Sequence, residues 1–221
     1  MKAALYFSLV VTMLISCNKN NEKLSEASSC NFIDFYYYQD STISLGELSN
    51  QYIVVAFDSN ATESQIRSYI AADKELDQSY KFTLNNSKTA VLKFREPKTC
   101  EAITATIARM QKSSMVAFVH YAMKTNDCLN AFGMPMGNLC INSYNSFFYV
   151  KVKDANNLTD LIKLAQATNT IIIEQYIYDP KWVTLKATKN SKGDALSMAN
   201  YFKESKLFTY AHPDPMKWPV E

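Results

Sequence analysis

One order of apolar segments occurs twice along this chain, and the repeat constrains the fold more than any other feature. Residues 52–57 form a continuous β-branched and apolar run that is typical of a buried strand. Ile66 and Ile70 follow at helical spacing, and Thr62 with Gln65 three residues later predicts a capping box. Further strands are predicted at 80–84, 90–94, 116–121, 147–153, 170–178, 182–188 and 207–211, and further helices at 99–112, 157–165 and 193–202. Each half therefore has the order strand, helix, strand, strand, helix, strand.

This order predicts an α+β fold of two tandem ferredoxin-like β-α-β-β-α-β modules, at 50–125 and 146–214. The segment 30–49 precedes them and is predicted to form a hairpin rich in aromatic residues. A linker, 126–145, joins the modules. We expect two separate sheets, so a single sheet running through both halves would contradict this prediction.

Two helices cover only one face of a four-stranded sheet, so the other face must meet something else. In the second module Tyr149, Trp182, Thr184 and Lys186 share that face if the strands alternate as predicted. Aromatic side chains interleaved with Lys and Thr suit a surface that binds a separate protein partner. The alternative is that the other module or the hairpin covers this face permanently.

The N-terminus predicts export and lipid attachment. Residues 1–16 combine a positive charge with an apolar run shorter than the roughly 20 residues that span a bilayer. The run ends in Leu14-Ile-Ser-Cys17, which resembles a bacterial lipobox and implies lipidation at the Cys17 thiol. The polar segment 17–29 is predicted to be a flexible tether. The alternative is an ordinary secretory signal followed by an incidental cysteine.

The predicted lipid makes the membrane a partner of the chain. Stable anchoring takes two signals such as dual acylation, which a multiply acylated cysteine supplies. Because no acidic run follows Cys17, we expect the periplasmic face of an outer membrane rather than the cell surface.

Four further cysteines remain in a compartment that we expect to be oxidising. We favour pairing Cys128 with Cys140, which closes a glycine-containing segment, and pairing Cys30 with Cys100 by default. Four buried free thiols that pack as small apolar side chains are the alternative.

Known catalytic patterns do not occur. The net charge of +2 argues against nucleic acid as a partner. With no G-x-S-x-G, no H-E-x-x-H and four isolated glycines, the chain lacks the parts of a serine hydrolase, a zinc protease or a phosphate-binding loop. His120 lies on a predicted strand and is expected to be a satisfied, partly buried residue. We therefore expect no enzyme activity, no metal and no small-molecule cofactor.

The segment 147–216 resembles the N-terminal pro-region of bacterial subtilisin-like serine proteases. The resemblance rests on Phe148-Tyr-Val-Lys-Val-Lys153, Trp182, Ala195-Leu-Ser-Met-Ala-Asn-Tyr-Phe202 and Phe208-Thr-Tyr-Ala-His-Pro-Asp214. It implies a ferredoxin-like unit that docks a sheet face on a protease and lays its C-terminal tail along the substrate cleft. A chain without the catalytic domain would then act as an inhibitor or folding chaperone of a subtilisin-like protease. The alternative is a structural or adhesive envelope lipoprotein with no protease partner.

The C-terminal segment carries the mechanistic part of that hypothesis. Three prolines in 212–221 disfavour a helix and remove backbone donors, so we predict an extended tail, 215–221, beyond the last strand. Met216, Lys217 and Trp218 are its predicted partner-binding residues. The alternative is a terminus with Trp218 folded back on the module.

Overall fold

A computed structural model of the chain describes residue 30 and residues 32–130 and 132–220. The predicted signal peptide, Cys17 and the tether lie outside the described residues. The strands are β1 (Phe35–Tyr38), β2 (Ser41–Ser44), β3 (Glu47–Phe57), β4 (Thr89–Lys93), β5 (Val116–Thr125), β6 (Cys140–Lys151), β7 (Ile171–Gln175), β8 (Trp182–Lys186) and β9 (Tyr210–Pro219). The helices are α1 (Glu63–Ala72), α2 (Cys100–Gln111), α3 (Thr159–Thr168) and α4 (Ala195–Glu204).

The α+β class is as predicted: β1 and β2 form the hairpin, and the other strands form one seven-stranded antiparallel sheet. Its strand order is β4-β3-β5-β6-β8-β7, and β9 also pairs with β6. The second half alone has the order β9-β6-β8-β7, with α3 and α4 packed on one face.

The prediction of two separate sheets is wrong. The strand β6 begins at Cys140 rather than near 146, and its first three residues pair with the end of β5, from Met123 with Asn142 to Thr125 with Cys140. Its last five residues pair with β8. Because β6 is longer than its neighbours in the second half, its overhang continues the sheet of the first half.

The strand predicted at 80–84 does not form. The edge of β4 is met instead by residues 75–77, where the Asp77 amide donates to the Lys93 carbonyl at 2.8 Å and the Arg95 amide to Glu75 at 2.9 Å. Phe82 packs against the core of the first half without ladder hydrogen bonds. Apolar side chains at alternate positions of 80–84, Phe82 among them, made this segment resemble a strand in the sequence.

The capping box predicted for α1 is present. The Gln65 amide donates to Thr62 Oγ1 at 3.3 Å, and the Thr62 amide donates back to Gln65 Oε1 at 2.8 Å. These contacts satisfy two of the amide groups that a helix leaves unpaired at its start.

The predicted free C-terminal tail is a strand of the sheet. Trp218 pairs with Ile141 and Pro219 with Cys140 at the far end of β9. The Val220 amide donates to the Leu139 carbonyl at 3.0 Å, so even-numbered residues here turn their amides toward β6. Pro215 and Pro219 have odd numbers and lie in the same register as Val220, so the amides they lack face away from β6. Pro213 lies beyond a register shift between Tyr144 and Phe148 of β6. Proline therefore does not disrupt this strand.

Candidate functional site

The predicted binding residues on β6 and β8 do share one face of the sheet. Tyr149 is paired with Thr184 on one side and with His212 on the other, and Trp182 is paired with Lys151. All are half-buried, whereas the alternating residues of the same strands are fully buried under α3 and α4. We call this surface the aromatic face, defined by Tyr149, Lys151, Trp182, Lys186, Tyr210 and His212.

The rings of the aromatic face contact one another across three strands. The Trp182 ring stacks on Tyr210 with centroids 6.0 Å apart and meets His212 edge-on at 5.5 Å. His212 in turn lies 5.4 Å from the Tyr149 ring. Because these side chains contact one another and lie on regular strands, the surface is ordered without any contact outside the chain.

Lysines lie over the rings of this face. Lys151 Nζ is 5.3 Å from the Trp182 centroid and 3.2 Å from Asp179 Oδ2, and Lys186 Nζ is 5.5 Å from the Phe147 centroid. The hydrogen bond from Lys151 lowers the pKa of Asp179. The pKa of Tyr149 is raised by burial and by the charge of Asp214. The face is thus mostly apolar, and the charge of Lys151 is paired with Asp179.

The hairpin covers only one corner of the aromatic face. The Tyr38 ring lies 6.5 Å from His212, and a cavity of about 290 Å³ lies between the hairpin tip and Trp182. The hairpin itself is fixed to α4, because Asn200 Nδ2 donates to the Phe35 carbonyl at 3.0 Å. Permanent burial of the whole face, which was the alternative, is not what the structure shows.

The predicted binding residues at the end of β9 lie elsewhere. Trp218 packs on a cluster formed by Tyr52, Val54, Val91, Ala122 and Ile141, on the face of the first half that lacks helices. Lys217 Nζ is 3.0 Å from Asp127 Oδ2. Met216 pairs with Ser143, on the same stretch of β6. Only Trp218 covers the first half of the sheet, and none of the three joins Tyr149, Trp182 and Lys186.

The structure joins the cysteines in the two pairings that we favoured. The Cα atoms of Cys30 and Cys100 are 5.7 Å apart, and those of Cys128 and Cys140 are 5.4 Å apart. The first bond fixes the start of the described chain to the first residue of α2. The second closes the loop between β5 and β6.

A buried polar cluster, which sequence analysis missed, connects the two halves. His120 on β5 is 2% exposed rather than partly buried, and its two ring nitrogens have no hydrogen-bond partner in the described part of the chain. Its Nδ1 lies 3.6 Å from Asp194 Oδ2, which also accepts a 2.7 Å hydrogen bond from the Tyr144 hydroxyl. The His120 ring packs between Phe118 and Tyr144, with centroids 4.5 and 4.2 Å away.

Asp194 is also the N-cap of α4. Its Oδ1 accepts from the Ser197 amide at 2.8 Å and from the Ser197 hydroxyl at 2.7 Å. Burial opposes its ionisation, but His120 and these donors outweigh burial and hold its pKa well below the usual range. Burial and the neighbouring Asp194 carboxylate raise the pKa of Tyr144. Gly193-Asp194 could be read from the sequence as a helix start, but nothing in the sequence showed its tertiary partners.

Neither histidine contacts a nucleophile within the described ranges. His212 Nδ1 lies 2.8 Å from the Pro213 carbonyl, and His120 has only the Asp194 carboxylate within ion-pair distance. Within the same ranges no group of three or more His, Cys, Asp or Glu side chains is placed to hold a metal ion. The four helices that the structure describes are all too short or too polar to cross a membrane.

No protein-family model matches the chain, and no curated protein matches it. Among solved structures, it is similar to the small subunit of acetolactate synthase from Thermotoga maritima, at 12% sequence identity and a TM-score of 0.27. The similarity covers 76% of this chain and 96% of that chain. That degree of similarity identifies neither a family nor an activity for this protein.

Proposed function

We propose that this protein is a lipid-anchored envelope protein that binds another protein and catalyses no reaction. The observation that carries the proposal is the aromatic face, where Tyr149, Trp182 and His212 form an ordered and half-exposed surface flanked by lysines. Aromatic side chains that are rigid and partly desolvated are the residues that dominate binding energy at protein interfaces.

Within this proposal the sheet consists of two ferredoxin-like units, joined where β5 of the first pairs with the overhang of β6 of the second. The chain order β6-α3-β7-β8-α4-β9 supports this assignment for the second unit, since its strands are antiparallel neighbours and its helices share a face. The first unit has three of the four strands, with residues 75–77 at the position of the missing one. The fusion leaves the aromatic face of the second unit free for a partner.

The anchor part of the proposal rests on the lipobox at Cys17. Replacement of Cys17 by Ala should leave the protein unprocessed or released, with no incorporation of labelled palmitate. A Cys17→Ala variant that still carries lipid and fractionates with membranes would refute the lipobox interpretation.

The partner class implied by the resemblance is a subtilisin-like serine protease, contacted through the sheet face. Insertion of the C-terminal segment into a protease cleft would require the end of β9 to leave β6, so the tail is not part of this proposal. For the same reason, deletion of 212–221 is an unsuitable test, because it removes a strand and uncovers the Tyr52 cluster.

The test is inhibition of subtilisin-like proteases from the same cell by the processed full-length protein. We expect slow, tight inhibition that Trp182→Ala weakens at least tenfold. Ile162→Ala is the matched control, because Ile162 is 44% exposed on α3, away from the aromatic face, and should leave inhibition unchanged. Digestion of the protein without inhibition would remove the protease as partner and favour the structural or adhesive role. An equal loss of inhibition with both variants would show that the aromatic face is not the contact.

A further inference from the structure

The loop between β5 and β6 is rigid for its size. The Cys128–Cys140 disulfide closes it, and Asn130 Oδ1 accepts hydrogen bonds from the Phe132 and Met134 amides, both at 2.9 Å. Gly133 has a φ of +74°, a left-handed conformation that suits glycine. These contacts fix the backbone from Phe132 to Met134 before any contact is made outside the chain.

The tip of this loop is apolar and exposed. Phe132 is 86% exposed, Met134 55% and Leu129 48%. Residues 128–139 contain no charged side chain. The Lys217 ammonium donates to the Leu129 carbonyl at 3.3 Å, and its charge is paired with Asp127 at 3.0 Å. Asn130 Oδ1 is already used by the loop itself. The tip therefore offers three apolar side chains on a neutral, internally bonded turn, which suits an apolar environment better than a charged or hydrogen-bonding partner.

The loop lies near the place where the proposed tether joins the domain. Cys30 is bonded to Cys100, and its Sγ is 4.0 Å from the Tyr121 hydroxyl on β5. From Tyr121 to the end of β5 at Thr125 the strand advances only about 13 Å. The thirteen residues 17–29 span at most about 45 Å, so a lipid at Cys17 limits how far this loop can lie from the membrane.

The aromatic face lies toward the opposite end of the second unit. Cys140 opens β6 beside the loop, whereas Trp182 pairs with Lys151 at the far end of β6, about 30 Å away along the paired strand β9. Ile177, 80% exposed in the turn between β7 and β8, is at that far end. One end of the unit can therefore face lipid while the other faces a protein.

We propose that Leu129, Phe132 and Met134 insert into the surface of the lipid bilayer that holds the Cys17 anchor. This inference rests on the proposed anchoring. A lipid-modified cysteine and a small apolar loop then form two membrane contacts, which orient the domain with its aromatic face away from the bilayer. The buried apolar area is small, so the loop orients a domain that the lipid already holds and does not replace the lipid.

The experiment compares two single tryptophan additions in the processed, lipidated full-length protein, incorporated into phosphatidylcholine vesicles. Phe132→Trp reports on the loop, and Ile177→Trp is the matched control at the far end. Because the native Trp182 and Trp218 also fluoresce, the wild-type emission is subtracted from that of each variant. The remaining excess emission is compared between vesicles with and without bromine on the lipid acyl chains. We expect bromine to reduce the excess emission of Phe132→Trp at least threefold and that of Ile177→Trp by less than 1.3-fold.

Co-sedimentation with the vesicles reports separately on the anchor. If both variants sediment with the vesicles but bromine quenches Phe132→Trp no more than Ile177→Trp, the loop inference is wrong and the anchoring proposal stands. A loop that instead occupies a pocket on another protein gives this result. If neither variant sediments with the vesicles, the anchoring proposal and the inference that rests on it both fail.

Discussion

The Tyr144 hydroxyl donates a 2.7 Å hydrogen bond to Asp194 Oδ2, which joins β6 to the N-terminus of α4. His120, from the first half of the sheet, lies 3.6 Å from the same oxygen. The Asp194 carboxylate thus caps α4, accepts the hydrogen bond of the buried Tyr144 hydroxyl and lies next to His120 on β5. Strand β5 pairs with β6 where the two halves of the sheet join. The aromatic face is built on the unit that the Asp194 contacts stabilise.

Replacing Asp194 by Ala should destabilise the protein strongly. Loss of the cap costs about 1 kcal/mol, and a buried Tyr144 hydroxyl without its acceptor costs about 1–3 kcal/mol more. We expect the free energy of unfolding in urea to fall by roughly 2–4 kcal/mol. Asp160→Ala, in the exposed first turn of α3, is the control and should change the unfolding free energy by less than about 0.5 kcal/mol. A fall no larger than that of the control would show that the Asp194 contacts contribute little.

The same carboxylate predicts how stability depends on pH. The pKa of Asp194 is lowered in the folded protein, so its contribution is fully present above the unfolded-state value of about 3.9 and is lost as pH falls toward the folded-state pKa. The unfolding free energy of the wild type should therefore fall more steeply below about pH 4 than that of Asp194→Asn. Parallel slopes for the two proteins below about pH 4, measured by urea unfolding, would contradict this account.

Trp218 should contribute to stability rather than to binding. It covers the Tyr52 cluster, so Trp218→Ala removes a large, partly buried side chain and should lower the unfolding free energy by about 2–3 kcal/mol. Trp218→Phe should cost less, because the indole Nε1 is buried without a hydrogen-bond partner in the described part of the protein. Tyr178→Ala, at an 82% exposed position, is the control. Equal stability of all three variants would place Trp218 outside the core.

The disulfides allow a direct chemical check. Mass spectrometry of the processed protein under non-reducing conditions should detect no free thiol at Cys30, Cys100, Cys128 or Cys140. Proteolysis before reduction should release Cys30 joined to Cys100 and Cys128 joined to Cys140. Alkylation of all four cysteines in the native protein would favour the buried thiols instead.

The second half of the fold could be predicted well because its signals are local. The strands around Tyr149 and Trp182 alternate in polarity, and the residues of the aromatic face on β6 and β8 followed from that alternation alone. In the first half, Phe82 packs on the core without entering the sheet, and such packing cannot be distinguished from a strand by its apolar pattern.

The tail and the polar cluster could not be predicted for a different reason. Prolines argue against a central strand, and Pro215 and Pro219 are compatible with β9 because its outer edge needs no amide donors. His120, Tyr144 and Asp194 are distant in sequence and meet through the pairing of β5 with the overhang of β6. That overhang is a tertiary feature with no local signal.

The central claim is that the aromatic face binds a protein partner in the cell envelope. Its most direct measurement is photo-crosslinking in intact cells from a benzophenone amino acid placed at Thr184, in the middle of the face. The control position is Lys163, exposed on α3. The account predicts a crosslinked adduct of one discrete mass from position 184, lost with Trp182→Ala and absent from position 163. No adduct from position 184, or the same adducts from both positions, would contradict it.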